Sequence, residues 1–325
     1  MKTKTINWGI IGAGKIASKF ATDLLTVSNS KLYAIASRNL EKARGFGEKY
    51  KAIKAFGSYE DLVADPNIDA IYIATPHSFH KAHTLLCLNY NKAVLCEKPF
   101  AMNLQEVEAM IQLSKEKNTL LMEAMWTIFL PHYQYVLRLL ENKHFGNILK
   151  LEADFGFHPV YDETSRVFDK SVGGGSLLDI GIYPVFAAHS TLGQPNKIEA
   201  NAQFFDSGAD SECNVTFNYD NATAQLKSTL LEKTNTEAIF HCKEGTIKIN
   251  GRFHEPSSVT LIDHKGNSEL KEFETNTIGY SYEIEHFNQL LSAGKTESDI
   301  MTFEKSKQLI STLDSIRQII GLQYS

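Results

Sequence analysis

The N-terminal residues combine a strand pattern, a glycine turn and a helix pattern in one short run. Residues 6–11 are apolar and β-prone, Gly12 to Ala17 have the sequence GAGKIA, and a helical pattern continues to about Leu25. In this order the first glycine permits a tight turn. The second lets a pyrophosphate approach the backbone, where the helix offers free N–H groups. We therefore predict a dinucleotide-binding Rossmann domain. The residues that we expect to bind the cofactor here are Gly12, Ala13, Gly14, Lys15 and Ile16.

Strand and helix patterns alternate through the first part of the chain. Further apolar strand patterns lie at about residues 32–36, 69–74, 93–96 and 119–124, and helical patterns lie between them. Parallel strands separated by helices form a doubly wound sheet. The sequence thus predicts an α/β domain over residues 1–124, with its ligand at the carboxyl ends of the strands.

The end of the second predicted strand indicates which dinucleotide binds. An NAD site usually has an acidic residue there, which accepts a hydrogen bond from the ribose 2′-hydroxyl. This chain has Ser37-Arg38, and Glu41 comes only in the next helix. Because a hydroxyl and a guanidinium suit a 2′-phosphate, we predict that Ser37 and Arg38 bind NADP. NAD remains the alternative, in which Arg38 is simply a surface residue.

Two later strand ends carry polar residues at the same edge. Thr75-Pro76-His77 and His80 follow one strand, and Glu97-Lys98-Pro99 follows the next. Two histidines without further ligands are a weak metal signal, so we predict no metal and expect cofactor contacts or loop hydrogen bonds. A lysine at this edge can reach a ligand and lower the pKa of a neighbouring acid. The predicted cofactor-binding residues here are Thr75, Pro76, His77, His80, Glu97 and Lys98.

The pattern changes after Trp126, where strands begin to dominate. Because few long helices separate the later strands, the sheet should be largely antiparallel. This predicts an α+β domain over residues 125–325 with one large open sheet, which binds substrate. Its last two helices can pack back on the first domain. One face of the sheet needs a cover, which a second copy would supply, so we expect a homodimer. The predicted strands lie at about 147–157, 196–206, 212–219, 222–232, 236–250 and 257–263.

A glycine-rich run interrupts these strands. From Gly173 to Pro184 the sequence is GGGSLLDIGIYP. Three glycines let a backbone approach another group closely. Asp179 and Tyr183 are four residues apart, so in a helix they share one face, although Pro184 predicts an irregular turn. The residues alone leave both packing and catalysis open.

Composition argues against several classes of protein. The net charge of −5 and the lack of a basic block argue against a nucleic-acid partner. The four scattered cysteines fit a reducing compartment. We identify no stretch with the length and apolarity of a membrane span, and the short apolar N-terminal run continues straight into the glycine turn. We therefore expect a cytoplasmic protein.

Four features together resemble one enzyme family. The N-terminal G-x-G-x-x-A, the strand-end Glu97-Lys98-Pro99, the run from Gly173 to Tyr183 and the large antiparallel second domain are similar to the Gfo/Idh/MocA family of NAD(P)-dependent oxidoreductases. The sequences LCEKP, MEAMW, GGGSLLDIGIY and SYEIEHF are most similar to its dimeric dihydrodiol dehydrogenases, a group that includes NADP-dependent D-xylose dehydrogenases. The resemblance covers essentially the whole chain.

The resemblance implies catalytic roles for three residues. Lys98 matches the family's active-site lysine, in a Lys98-Pro99 bond that is cis in relatives. Tyr183 matches the acid/base residue, and Asp179 matches an aspartate one turn earlier. A free phenol, with a pKa near ~10, is a poor base at neutral pH. The Lys98 ammonium would favour phenolate and so lower the pKa of Tyr183.

The resemblance also implies a substrate pocket. Arg166 matches an arginine that lines the cofactor or substrate side, and Trp126 matches an aromatic residue of the pocket. Trp126 and Phe157 can offer aromatic faces to a ring. Ile128 stands where close relatives often have arginine, so the substrate itself does not carry over. The predicted substrate-binding residues are Trp126, Phe157, Arg166, Asp179 and Tyr183.

The resulting functional prediction is hydride transfer between NADP(H) and a cyclic polyol or sugar. The group oxidised would be a secondary alcohol or a hemiacetal, as in dihydrodiol and aldose dehydrogenases. A 1,5-anhydro-fructose or other sugar reductase, or an inositol-type dehydrogenase, is the enzymatic alternative. An NADP-binding regulatory sensor is the non-enzymatic alternative.

Overall fold

The computed structural model describes residues 4–162 and 164–324. The chain forms two compact units. Unit 1 contains the residues up to Trp126 together with Asn276–Lys307, and unit 2 contains Thr127–Thr275 together with the residues from Gln308 onward.

Unit 1 is built on a six-stranded parallel sheet with the strand order β3-β2-β1-β4-β5-β6. Its central strands are buried on both faces, as is usual for a parallel sheet between helices. Here the predicted doubly wound α/β sheet is confirmed. The strands are β1 (Ile6–Ile11), β2 (Ser30–Ala36), β3 (Lys54–Phe56), β4 (Ala70–Ile73), β5 (Ala93–Glu97) and β6 (Leu121–Ala124). The helices are α1 (Lys15–Leu24), α2 (Leu40–Tyr50), α3 (Tyr59–Ala64), α4 (His80–Asn89), α5 (Leu104–Lys117) and α8 (Tyr280–Ser292).

The strand order reverses at β1, which pairs with β2 on one side and β4 on the other. The Gly12 N–H donates to the Ala36 carbonyl at 3.0 Å, and the Ala74 N–H donates to the Ile11 carbonyl at 2.9 Å. The carboxyl ends of three strands are therefore held together at this switch point, the position where ligands bind in such sheets.

Unit 2 is built on an eight-stranded sheet with the order β14-β13-β12-β11-β7-β10-β9-β8. Among its described strands only β7 and β10 pair in parallel, so the predicted mostly antiparallel sheet is confirmed. The strands are β7 (Ile148–Gly156), β8 (Lys197–Phe204), β9 (Asp210–Asn218), β10 (Thr223–Thr229), β11 (Ala238–Cys242), β12 (Gly245–Ile249), β13 (Val259–Asp263) and β14 (Ser268–Lys271). The helices are α6 (Pro131–Glu141), α7 (Ile182–Leu192) and α9 (Phe303–Ile320), most of which lies in this unit.

The glycine-rich run leads into a helical segment that the sequence only partly indicates. Leu177–Gly181 forms a π-helical turn, and α7 follows with Pro184 in its first turn, so the predicted irregularity is present. One expectation was wrong: Lys170–Leu192 does reach the length and mean hydropathy, 1.2, of a membrane span. Because 89% of its apolar window is buried inside the protein, this segment is a core element of unit 2.

Candidate active site

The glycine turn after β1 has the geometry that a dinucleotide needs. Gly12 has φ +99°, and a Cβ there would lie 2.7 Å from the Ala74 carbonyl oxygen. A Cβ on Gly14, in contrast, would have no described atom within 4 Å. No side chain of the described residues caps α1, which begins at Lys15, so its first N–H groups face the open space beside Gly14. These residues fit a pyrophosphate.

This difference between the two glycines gives a prediction. Gly14→Ala keeps an ordinary backbone conformation but fills the space for the pyrophosphate. We expect dinucleotide affinity to fall about tenfold or more, roughly the cost of displacing one charge-assisted contact, with Tm unchanged. Gly12→Ala should instead destabilise the fold by roughly 2 kcal/mol or more through its φ and its clash. Fluorescence titration and thermal melting measure the two effects, and a Gly14→Ala protein that binds like wild type would contradict the assignment.

At the end of β2 a charged residue lies next to an aromatic cluster. The Ser37 side chain is buried and accepts a hydrogen bond from the Asn39 N–H at 3.3 Å. Arg38 is exposed, and its Cζ lies 5.9 Å from the ring centroid of Phe79. The Phe79 ring stacks on His83 with a centroid distance of 5.8 Å. Arg38 is therefore on the surface at the strand end where the 2′-position of a ribose is expected.

Both predicted histidines of the loop after β4 are buried. Pro76 precedes a short 3₁₀ turn that contains His77, which is buried. His80 is 0% exposed, and its ring nitrogens lie 2.9 Å from the Thr75 carbonyl oxygen and 2.8 Å from the Pro99 carbonyl oxygen. Burial lowers the pKa of His80 to about 4. His80 thus connects two strand-end loops and has no surface of its own for a ligand.

The end of β5 holds a buried acid beside a half-buried lysine. Glu97 accepts a hydrogen bond from the Tyr72 hydroxyl, and its other oxygen accepts one from the Lys98 N–H at 3.2 Å. Lys98 is half-buried and its bond to Pro99 is cis. Glu283 of α8 is fully buried, and burial followed by repulsion from Glu97 raises its pKa well above the usual value. Burial therefore favours the neutral form of Glu283, and Glu97 lies between the Tyr72 hydroxyl and the Lys98 N–H.

Trp126, the predicted aromatic residue of the pocket, and the nearby Ile128 are both buried. Trp126 is 3% exposed and stacks on Tyr280, with ring centroids 4.4 Å apart. Ile128, where the resemblance led us to expect arginine, is 2% exposed, and its carbonyl accepts a hydrogen bond from Gln134. An apolar side chain at position 128 therefore suits its buried environment.

In unit 2 the glycine run is anchored on a buried carboxylate. The Asp210 Oδ2 accepts hydrogen bonds from the Ser176 hydroxyl and the Leu177 N–H, both at 2.7 Å. Gly175 has φ +121°, and a Cβ there would lie 2.1 Å from the Asp210 Oδ1. Only glycine fits at this position, since Asp210 fixes the start of the turn that carries Asp179.

Asp179 and Tyr183 follow on successive turns, and both are buried. The Arg166 guanidinium lies 3.0 Å from the Asp179 Oδ1, with about half of the Arg166 side chain exposed. The structure thus brings together the predicted Arg166 and Asp179. Phe157 is partly exposed and lies just after the end of β7, which contains Phe155; the two ring centroids are 6.3 Å apart.

The surroundings of Tyr183 include residues that sequence reasoning missed. Its ring centroid lies 4.7 Å from that of His254 and 5.8 Å from that of Phe155. Arg252 and Glu255 flank His254 and form an ion pair at 2.7 Å. These residues follow β12, about 70 positions after Tyr183, and no motif or spacing in the sequence links the two segments.

Comparison with known proteins identifies the family. Residues 6–125 match the Gfo/Idh/MocA oxidoreductase family model, described as an NAD-binding Rossmann fold, and residues 133–248 match the model of the family's C-terminal domain. The chain is 35% identical to trans-1,2-dihydrobenzene-1,2-diol dehydrogenase of Xenopus tropicalis and 32% identical to the scyllo-inositol 2-dehydrogenase (NADP(+)) IolU of Bacillus subtilis. Each alignment covers 98% of both chains.

Solved structures agree with this assignment. The 3-ketoreductase KijD10 from Actinomadura kijaniata, in complex with NADP and TDP-benzene, is 26% identical and has a TM-score of 0.88 over 98% of both chains. The aldose-aldose oxidoreductase from Caulobacter crescentus, at 22% identity, also has a TM-score of 0.88 over 97% of both chains, which shows the shared fold. The chain therefore belongs to the Gfo/Idh/MocA family of oxidoreductases and is an NAD(P)-dependent enzyme.

Proposed function

We propose that this enzyme transfers hydride between NADP(H) and a cyclic polyol or sugar, at a secondary alcohol or hemiacetal carbon. The observation that carries the proposal is the arrangement of Tyr183 one turn after the Asp179–Arg166 pair. A phenol can exchange a proton with a substrate hydroxyl, and a carboxylate paired with a half-exposed guanidinium can accept hydrogen bonds from neighbouring hydroxyls. Such a site suits a substrate with several hydroxyl groups.

The relatives support the same substrate class. The names of the two relatives above describe a cyclic diol and an inositol as substrates, and the second names NADP(+). The A. kijaniata 3-ketoreductase has also been crystallised as variants at a tyrosine and at a lysine. These are the residue types to which we assign proton transfer and its electrostatic support here.

The proposed chemistry divides between the cofactor and the side chains. The nicotinamide, when bound, accepts a hydride from the substrate carbon. Tyr183 as phenolate removes the hydroxyl proton during oxidation, and as phenol it donates the proton back during reduction. The resemblance assigns to Lys98 the positive charge that favours phenolate, and Asp179 orients a substrate hydroxyl. Acid/base catalysis of this kind contributes ~10²–10⁴-fold to the rate.

Two other activities remain to be separated from this one. A sugar reductase of the 1,5-anhydro-fructose type and an inositol dehydrogenase would each use the same residues on a different ring. A panel of D-xylose, D-glucose, anhydro sugars, inositols and dihydrodiols with NADP, read as NADPH absorbance in both directions, distinguishes all three. Turnover only with acyclic alcohols would contradict the proposed substrate class.

The NADP preference gives a second prediction, which rests on Arg38. Arg38→Gln removes the guanidinium that would pair with the 2′-phosphate. Because a charged hydrogen bond contributes about 1.5–3 kcal/mol, kcat/KM for NADP should fall by roughly 10- to 100-fold while that for NAD changes little. Arg44→Gln, an exposed arginine on α2 paired with Glu41, is the matched control. A wild-type enzyme with higher kcat/KM for NAD than for NADP would overturn the preference itself.

We also propose that the enzyme is a homodimer that pairs through the unit 2 sheet. Half-exposed residues of that sheet contact one another: the Lys150 ammonium lies 2.7 Å from one oxygen of Glu152, and a His241 ring nitrogen lies 2.7 Å from the other. A polar face whose side chains already have partners can associate with a second copy. Light scattering that finds only monomer at micromolar concentration would contradict the proposal.

A further inference from the structure

A short charged segment after β12 packs against the tyrosine to which we assign proton transfer. It consists of Arg252, Phe253, His254 and Glu255, all of which belong to unit 2 together with Tyr183. The His254 ring lies 4.7 Å from the Tyr183 ring and 4.2 Å from the Phe155 ring, centroid to centroid. This segment therefore forms part of the wall around Tyr183.

Within the segment, Arg252 is held in a fixed geometry. Its Nε and one terminal nitrogen each donate to a different oxygen of Glu255, both at 2.7 Å. A bidentate pair of this kind fixes the plane of the guanidinium as well as its position. The Arg252 Cζ also lies 5.9 Å from the ring centroid of Phe155, the residue that contacts both His254 and Tyr183. Arg252 has φ +64°, which lies in the left-handed region.

The charges of the segment act on one another and on Tyr183. Hydrogen bonds to Glu255 raise the pKa of Arg252, and the ionised form of Tyr183 raises it further. Because such an attraction is mutual, a positive charge on Arg252 favours the ionised form of Tyr183. Although burial opposes it, hydrogen bonds from Arg252 and His254 keep the pKa of Glu255 below its usual value. The pair Arg252–Glu255 is therefore ionised throughout the neutral pH range.

We propose that Arg252 is a positioning residue for the reaction: its guanidinium, fixed by Glu255, supplies a permanent positive charge beside Tyr183 that favours the phenolate. This inference rests on the proposed role of Tyr183 as acid/base. It makes Arg252 a source of phenolate stabilisation within unit 2, in addition to the charge that the resemblance assigns to Lys98. An arginine suits this task because it does not lose its proton in the working pH range.

The other charged groups near Tyr183 determine whether loss of the Arg252 charge makes phenolate easier or harder to form. Asp179, one turn earlier, disfavours phenolate when ionised, but Arg166 at 3.0 Å offsets its charge. Glu255 opposes Arg252 in the same way, and His254 contributes positive charge only when protonated. Removal of the Arg252 charge alone therefore leaves an excess of negative charge and should make phenolate harder to form.

The test is the pH profile of alcohol oxidation by Arg252→Gln. The reaction requires phenolate, so log kcat rises with pH to a plateau, and the midpoint of this acid limb reports the ionisation in the enzyme–substrate complex. We expect the midpoint to move up by about one pH unit. At pH values below the wild-type midpoint, kcat of the variant should be about tenfold lower than that of wild type, whereas on the plateau the two should be nearly equal. Arg252→Lys should restore most of the shift. A uniform loss of kcat at every pH, with an unmoved midpoint, would overturn the proposal.

Controls separate this role from a merely structural one. Lys248→Gln removes another ion-paired cation of unit 2, paired with Glu237 at 2.7 Å, and should leave the midpoint in place. If thermal melting shows that Arg252→Gln is not folded, Arg252→Asn is used instead, because asparagine tolerates the left-handed conformation. An asparagine variant that folds and keeps the wild-type midpoint also overturns the proposal.

The same experiments distinguish failure of this inference from failure of the proposed function. In a Tyr183→Phe background, Arg252→Gln should cause no further loss, since it acts through the phenol. If Tyr183→Phe alone has near-normal turnover, the proposed acid/base role fails. If Tyr183→Phe is impaired but Arg252→Gln keeps the wild-type midpoint, only the role of Arg252 fails.

Discussion

Replacement of Tyr183 by phenylalanine is expected to lower kcat for alcohol oxidation by at least ~100-fold, with little change in the Kd for NADP. The substitution keeps the ring, and so keeps its contacts with His254 and Phe155, but removes the hydroxyl to which we assign proton exchange. A 100-fold loss corresponds to about 2.7 kcal/mol of transition-state stabilisation, which lies within the range of acid/base catalysis. Steady-state kinetics and a fluorescence titration with NADP measure the two quantities.

A second buried tyrosine of unit 2 provides the control. Tyr133 is 1% exposed, and its hydroxyl lies 2.7 Å from that of Ser190. Tyr133→Phe should therefore lower the free energy of unfolding by about 1 kcal/mol without a comparable effect on kcat. Near-normal turnover of Tyr183→Phe would remove Tyr183 from its assigned role.

The second large effect is expected for Lys98→Met. Methionine keeps much of the length and apolar character of the side chain but removes the charge at the end of β5, next to Glu97. If the ammonium favours the phenolate of Tyr183, kcat at neutral pH should fall on the order of 10²-fold, and the acid limb of the pH profile should move to higher pH. The folded state should remain intact, since Lys98 is only half-buried.

Lys117→Met is the matched control for this prediction. Lys117 is an exposed lysine in the last turn of α5, on the same unit. Its replacement should change kcat by less than a factor of about two, because screened surface charges act weakly over distance. A Lys98→Met enzyme whose acid limb coincides with that of wild type would show that Lys98 does not act on the ionisation of Tyr183.

Features encoded by neighbouring residues could be predicted from the sequence. The turn at Gly12 follows from the strand–glycine–helix order, and the predicted strand at about residues 32–36 lies within β2. The range 236–250 was predicted as one strand, but the structure divides it into the hairpin of β11 and β12, because the chain turns at Lys243-Glu244. Strand β14 was missed because it is only four residues long, all of them exposed, and Leu270 is its one apolar residue, so it has no alternating pattern.

Features formed by residues distant in the sequence could not be predicted. The sequence predicts a cofactor contact or a loop hydrogen bond for His80. Only the structure shows that its two ring nitrogens lie within hydrogen-bonding distance of the Thr75 and Pro99 carbonyl oxygens. The contact of His254 with Tyr183 depends on the pairing of β11 with β7 and of β12 with β11, which brings the segment after β12 to α7. Pairings of this kind are set by tertiary structure and leave no local periodicity.

The central claim is that hydride passes from a ring carbon of the substrate to NADP, and transfer of a deuterium label tests it most directly. The substrate is the cyclic polyol or sugar that turns over fastest in the panel, deuterated at the reacting carbon, and the NADPH produced is analysed by mass spectrometry and NMR. We predict that the NADPH formed carries one deuterium on its nicotinamide ring, and that Tyr183→Phe forms it at least ~100-fold more slowly. NADPH without deuterium, or no NADPH formation from any cyclic polyol or sugar, would contradict the account.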